Sequence, residues 1–178
     1  DSLFYQIPIE SFIDVDLGDS ITYSVSGLDW INFNSNTNVI SAIPGNNLVG
    51  VSYLDINVID NFNATASTQI SITVDNINDS PVFISDAKTI NVENTTYNYV
   101  VDVQDIDFAV DNLETLTFSA NLPSFLSSTP SGSNQLIISG YTGLDKVGNT
   151  YDIDITVSDR LGLTAVQSYQ LMVLNHND

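Results

Sequence analysis

The sequence predicts an all-β chain folded as two tandem β-sandwich domains, residues 1–79 and 80–178. Apolar and polar residues alternate at period two along most of its length, the pattern of half-buried strands. Clusters of Asn, Ser, Gly and Pro, such as NFNSNTN (32–38), IPGNN (43–47) and STPSGSN (128–134), interrupt the alternation too often to leave room for helices. The segment YLDINVIDNFNATASTQISITVDNIND, ending at Asp79, also recurs as YDIDITVSDRLGLTAVQSYQLMVLNHND, ending at Asp178. A shift of 99 positions pairs Asp55 with Asp154, Asp60 with Asp159, Asn76 with Asn175, Asn78 with Asn177 and Asp79 with Asp178. The chain is therefore two copies of one module.

Each strand follows from its own pattern. Ile21, Tyr23 and Val25 share one face, as do Leu54, Ile56 and Val58, then Ile70, Ile72 and Val74. The second copy repeats the series with Leu116 and Phe118, then Tyr151, Ile153, Ile155 and Val157, then Tyr169, Leu171 and Val173. Such one-sided patterns belong to antiparallel strands, and about seven are expected per sandwich. The upstream halves align as well. Asp14-Val15-Asp16 matches Asp105-Ile106-Asp107, Ser20 to Ser24 matches Thr115 to Ser119, Trp30 matches Phe125, and Ile40-Ser41 matches Ile138-Ser139. Pro81 favours an extended approach and ends the last strand of the first copy.

Charge narrows the function classes. The chain carries 22 acidic and 3 basic residues, for a net charge of −19, and its only glutamates are Glu10, Glu93 and Glu114. Aspartate is a poor helix former suited to turns and cation sites. A field of this sign repels phosphate backbones and anionic lipid heads, so no nucleic acid and no direct membrane contact are expected. There is no cysteine, which removes disulfides and thiol chemistry. No apolar run reaches membrane-spanning length. The recurring oxygen donors point to a hard cation. Because the final residues repeat the inter-copy linker, the chain is expected to be a fragment of a longer tandem array, with the neighbouring repeats as partners.

An early Asp-x-Asp loop, a Thr-Tyr-Ser strand, Asp29-Trp30-Ile31, Ile40-Ser-x-x-Pro44-Gly45, a strand ending in Asp60 and a closing Asn76-x-Asn78-Asp79-x-Pro81 stand in this order. Together they resemble the dystroglycan-type cadherin-like repeats of bacterial surface adhesins and carbohydrate-active extracellular proteins. In the second copy Phe125 replaces the tryptophan and Thr142-Gly143 replaces the Pro-Gly. The resemblance implies immunoglobulin-like Greek-key sandwiches joined by a calcium-binding linker, in an extracellular protein of the cell surface.

Carried over position by position, the resemblance gives the internal junction Asn76, Asn78 and Asp79 from the linker with Asp105, Asp107 and Asp159 from the second repeat. Calcium takes about six to eight oxygens, so several loops must converge. Four of these six residues are carboxylates, which repel one another without metal, so calcium would turn a loose junction into a rigid strut. Asp14, Asp16 and Asp60 form a half-site at the top of the first repeat, and Asn175, Asn177 and Asp178 form another at the end. Glu93-Asn94 and Asp145 resemble further cadherin ligands. The expected role is a calcium-stiffened spacer and adhesion module of a large surface adhesin. The alternative is a calcium-dependent module that binds glycans or another surface protein, motivated by Tyr5, Tyr97, Tyr99 and Tyr141 as exposed aromatics.

Other signals carry less. Trp30 reads as a core tryptophan rather than a sugar-stacking platform with Phe33. Gly18-Asp19-Ser20 reads as a turn, not a hydrolase nucleophile block, since its counterpart is Glu114-Thr115. The single histidine, His176, lies in the closing linker and supports no Ser-His-Asp arrangement. Glycoside hydrolysis requires an acid kept protonated by apolar burial, whereas these aspartates lie in Gly/Asn-rich loops expected to be solvated. No catalytic role is expected. Three Asn-x-Ser/Thr sequons, at Asn63, Asn78 and Asn94, are common by chance in such a composition.

Overall fold

The computed structural model describes residues 3–6, 12–15 and 18–176, with 3–6 described for the backbone alone. The chain forms two compact units, residues 1–76 and 77–178. Ile77, Asn78 and Asp79, which close the first copy by sequence, thus fold with the second.

The first unit has six strands among the described residues: β1 (Leu3–Gln6), β2 (Thr22–Ser26), β3 (Asn32–Asn34), β4 (Val39–Ala42), β5 (Gly50–Ile59) and β6 (Thr65–Val74). They form two three-stranded antiparallel sheets, ordered β1-β4-β3 and β2-β5-β6. Alternation in β5 sends Leu54, Ile56 and Val58 inward, where they meet Tyr23, Ile40 and Ile72. Trp30 and Phe33 are half-buried and pack on this cluster, the core role expected for the tryptophan. The solvent face of the same sheet carries polar pairs: Gln69 Nε2 donates to Asp55 Oδ1 at 2.8 Å, and Asn57 Nδ2 to Ser26 Oγ at 3.1 Å. One face thus excludes water while the other is hydrated, as period-two patterning requires.

The second unit has eight strands among the described residues: β7 (Val82–Phe83), β8 (Ile90–Val92), β9 (Thr95–Gln104), β10 (Thr117–Asn121), β11 (Leu126–Pro130), β12 (Gln135–Thr142), β13 (Thr150–Ser158) and β14 (Thr164–Leu174). Its sheets run β10-β13-β14-β8 and β11-β12-β9-β7. The entering chain splits between the two: β7 pairs antiparallel with β9, whereas β8 pairs parallel with β14 over Ile90 to Val92. Between the sheets lie Tyr97, Val101, Val103, Ile138, Ile153, Ile155, Val157 and Leu171, all fully buried.

Two local features fix this packing. At Gly140 on β12, an added Cβ would fall 2.0 Å from the Phe125 carbonyl oxygen, so the β11–β12 approach admits no side chain there. Tyr97 and Tyr99, expected as exposed aromatics, are instead buried, at 0% and 5% exposure, because alternation along β9 points them inward with Val101 and Val103. Their hydroxyls are satisfied there. Tyr97 OH donates to the Lys88 carbonyl at 2.8 Å and meets the Tyr169 hydroxyl at 2.9 Å, and Tyr99 OH donates to Gln167 Oε1 at 2.8 Å. Tyr141 is 59% exposed, and the side chain of Tyr5 lies outside the described residues.

Gly140→Ala is expected to destabilise the protein by about 2 kcal/mol or more, because the clash is with backbone; urea denaturation measures it. Burial raises the Tyr97 phenol well above its usual range and pushes Tyr169 up to about 12. In the unfolded chain these groups lose their protons from about pH 10, whereas the folded chain retains them. Their contribution to stability is therefore complete below pH 10 and is lost as pH rises from about 10 through 12. Denaturation midpoints at pH 9 and 11.5 are expected to fall in that order.

Candidate metal centre

Three segments of the second unit converge at one of its ends. Just after β9, Asp105 caps a short 3-10 turn, Ile106–Ala109, its Oδ1 accepting from the Asp107 amide at 3.0 Å. The turn continues as a compact loop: the Asp107 carbonyl accepts from the amides of Val110 and Asp111, and the Asp111 carbonyl from that of Glu114. Next comes the β13–β14 hairpin. Asp159 Oδ1 accepts from Gly162 N at 2.5 Å and Leu163 N at 2.8 Å, with Gly162 at φ +96°, a conformation that suits glycine. The third segment is the former linker. Asn78 Nδ2 donates to Asp159 Oδ2 at 2.6 Å, and the Asp79 amide donates to Asp107 Oδ2 at 2.7 Å.

Four carboxylates are buried in this cap: Asp105, Asp107, Glu114 and Asp159, at 5%, 0%, 5% and 5% exposure. This corrects the expectation of solvated aspartates, because the loop folds its acids inward around backbone N–H groups. Glu114 Oε1 accepts from Thr115 N at 2.9 Å and Arg160 N at 3.0 Å. The Arg160 guanidinium does not neutralise the cap; it pairs with Asp111 at 2.5 Å on the rim. Two buried oxygens, Asp105 Oδ2 and Glu114 Oε2, have no hydrogen-bond partner among the described residues.

The electrostatics divide accordingly. Burial pushes the Asp105 carboxyl up; the Asp107 amide opposes this, and the charges of Asp107, Glu114 and Asp159 add to it. Burial also pushes Asp159 up, but the Asn78 amide and the backbone N–H groups of Leu163, Gly162 and Leu161 outweigh it and hold the carboxyl below its usual value. A set of hard oxygen donors without imidazole or thiolate suits calcium or magnesium and not zinc or copper.

The first unit presents a related cluster. Single carboxylate oxygens of Asp14, Asp19 and Asp60 lie within 4.8 Å of one another, all half-buried. Asp60 Oδ1 accepts from the Phe62 and Ala64 amides, both at 2.8 Å, the same kind of turn that Asp159 caps. Asp16 lies outside the described residues, as do Asn177 and Asp178. Asn76 ends the first unit with its side chain exposed.

Five of the six junction residues drawn from the sequence, Asn78, Asp79, Asp105, Asp107 and Asp159, thus belong to the second unit. Asp79 contributes its amide, while its side chain is exposed. Sequence reasoning passed over Glu114 and Asp19. The signal was their shared position, one residue before Ser20 and Thr115. At the other end of this unit Glu93 is buried in the β8–β9 turn, with Oε1 accepting from the His176 amide at 3.0 Å. Asp145 is exposed and pairs with Lys146 at 2.5 Å.

The fold is that of tandem immunoglobulin-like, cadherin-like sandwiches. The chain belongs to the family described as "Putative Ig domain" (He_PIG), which matches residues 2–75 and 80–174. Among solved structures it is similar to protocadherin gamma B2 extracellular cadherin domains 1-5, with TM-score 0.65 and 17% identity over 89% of this chain and 32% of that one. The human desmocollin-1 ectodomain is similar at TM-score 0.52 and 17% identity, over 93% of this chain and 32% of that one. An endo-fucoidan hydrolase of glycoside hydrolase family 107 is similar at 22% identity and TM-score 0.44, over 90% of this chain and 24% of that one. The chain therefore spans a third or less of the length of these proteins. No match was found among curated proteins.

Proposed function

We propose that the chain is a pair of calcium-stiffened spacer and adhesion repeats of a larger extracellular protein. The observation that carries this reading is the burial of four carboxylates in one cap without a basic side chain among them. Such a concentration of charge is costly in a protein interior unless a cation joins it. Asp105, Asp107 and Asp159 would hold the ion, with Asn78 and Asp79 fastened to the same carboxylates. The ion supplies positive charge only; the chain's residues supply the rigidity. Because the linker residues are tied to Asp159 and Asp107, filling the cap would stiffen the segment that leads into the second repeat. The resemblance to dystroglycan-type repeats of surface adhesins supports the same role, and extracellular modules work at calcium concentrations of about 10⁻⁴ to 10⁻³ M.

At tenfold to hundredfold excess over Kd, mass action adds about 1.4 to 2.7 kcal/mol to the folded state. The melting midpoint is accordingly expected to rise by roughly 5 to 15 °C between chelator and saturating calcium. An unchanged midpoint sinks the calcium reading. Asp105→Asn keeps the capping acceptor while removing charge, and it is expected to erase more than half of that rise. Small-angle scattering should show a calcium-dependent extension in the parent chain that Asp105→Asn weakens; identical profiles in all four conditions would rule out stiffening.

A further inference from the structure

We infer that Glu114 is a cation ligand of the second unit and Asp19 its counterpart in the first, so that each repeat closes a calcium site with a third loop carboxylate of its own. This rests on the calcium reading above and extends it.

The geometry argues from Glu114 outward. Its side chain is 95% buried by its 5% exposure, an unusual fate for a glutamate with no basic side-chain partner. Oε1 is fully used, clamped by the Thr115 and Arg160 amides. Those two amides belong to different segments, so the carboxylate is wedged between the Asp105–Thr115 loop and the hairpin that begins at Asp159. Oε2 remains in the interior with no partner among the described residues, as does Asp105 Oδ2. A structural acceptor role explains Oε1 and leaves Oε2 unexplained. A divalent cation bound in the cap would give these orphan oxygens the positive partner that the chain does not supply.

The first repeat supplies the sequence counterpart, and among the described residues it is there that three carboxylates converge most closely. Asp14, Asp19 and Asp60 occupy the aligned positions of Asp105, Glu114 and Asp159, and their oxygens converge within 4.8 Å. Asp or Glu at this position preserves a carboxylate across two repeats in which neighbouring loop residues differ. Every member of each trio comes from one unit. Two ions are therefore expected for the 178-residue chain, one per repeat.

Calcium titration calorimetry on the whole chain, paired with melting in chelator and in calcium, tests this. The parent chain is expected to bind two ions. Glu114→Gln, which keeps an acceptor for Thr115 and Arg160, should weaken one site about tenfold or more and leave the other unchanged; Asp19→Asn should do the converse. Glu114→Asp separates charge from shape. A ligand role ranks the calcium-induced stabilisation of Glu114→Asp above that of Glu114→Gln, even if both variants melt earlier in chelator. The reverse order, or parental affinity in Glu114→Gln, overturns the assignment while leaving the calcium reading intact. A parent chain that binds no calcium overturns both.

Discussion

Negative charge that cannot reach water is the constraint around which the second repeat is organised. Asp105, Asp107, Glu114 and Asp159 are held out of solvent by backbone geometry, each fixed by at least one backbone amide donor. In a medium of low effective dielectric, neighbouring carboxylates raise one another's energy by several kcal/mol at contact distances. Hydrogen bonds from Asn78 and from the hairpin amides relieve Asp159, whose carboxyl stays ionised more readily than usual, whereas Asp105 is left with the opposite tendency. The sandwich below provides the rigid ends of β9 and β13 from which these loops spring, so the core and the cap are one mechanical object.

Much of this architecture was legible because period-two patterning and duplication report the same thing at different scales. Leu54, Ile56 and Val58 in one copy and Ile153, Ile155 and Val157 in the other fill their cores. The Asp-x-Asp pair and the strand-end aspartate were likewise readable, since two copies preserve them. Glu114 was hidden because the substitution from Asp19 broke the identity of the repeat, and because Gly18-Asp19-Ser20 has the composition of an ordinary turn. Burial of a loop acid depends on which amides surround it, and that is decided by loop closure and not by composition. The unit boundary shows the same limit. Asn78 and Asp79 look like the tail of the first repeat, yet their hydrogen bonds go to Asp159 and Asp107.

The aromatics illustrate a second kind of ambiguity. Tyrosine presents an apolar ring and a polar tip, so its place in a sequence does not say whether it lies inside or outside. Along β9 the alternation decides: Tyr97 and Tyr99 are core residues, and the hydroxyls of Tyr169 and Ser85, the Lys88 carbonyl and the Gln167 amide oxygen satisfy their tips. Tyr141 on β12 has the same chemistry but lies on the outer face, where its hydroxyl donates to Asn94 Oδ1 at 3.2 Å. Reading glycan-binding surfaces from tyrosine content would have counted all three alike.

The split of the entering chain between the two sheets also governs how the second repeat would bear tension. Strand β8 near the start and β14 at the end run parallel, paired from Ile90 with Met172 to Val92 with Leu174. Force pulling the two ends apart therefore slides these strands past each other along their length. In a parallel ladder the hydrogen bonds are evenly spaced and slanted, so the load falls on all of them together and not on one at a time as in a peeled hairpin. A three-pair patch loaded in shear resists as a unit and then yields abruptly, which makes this short contact the natural fuse of the repeat.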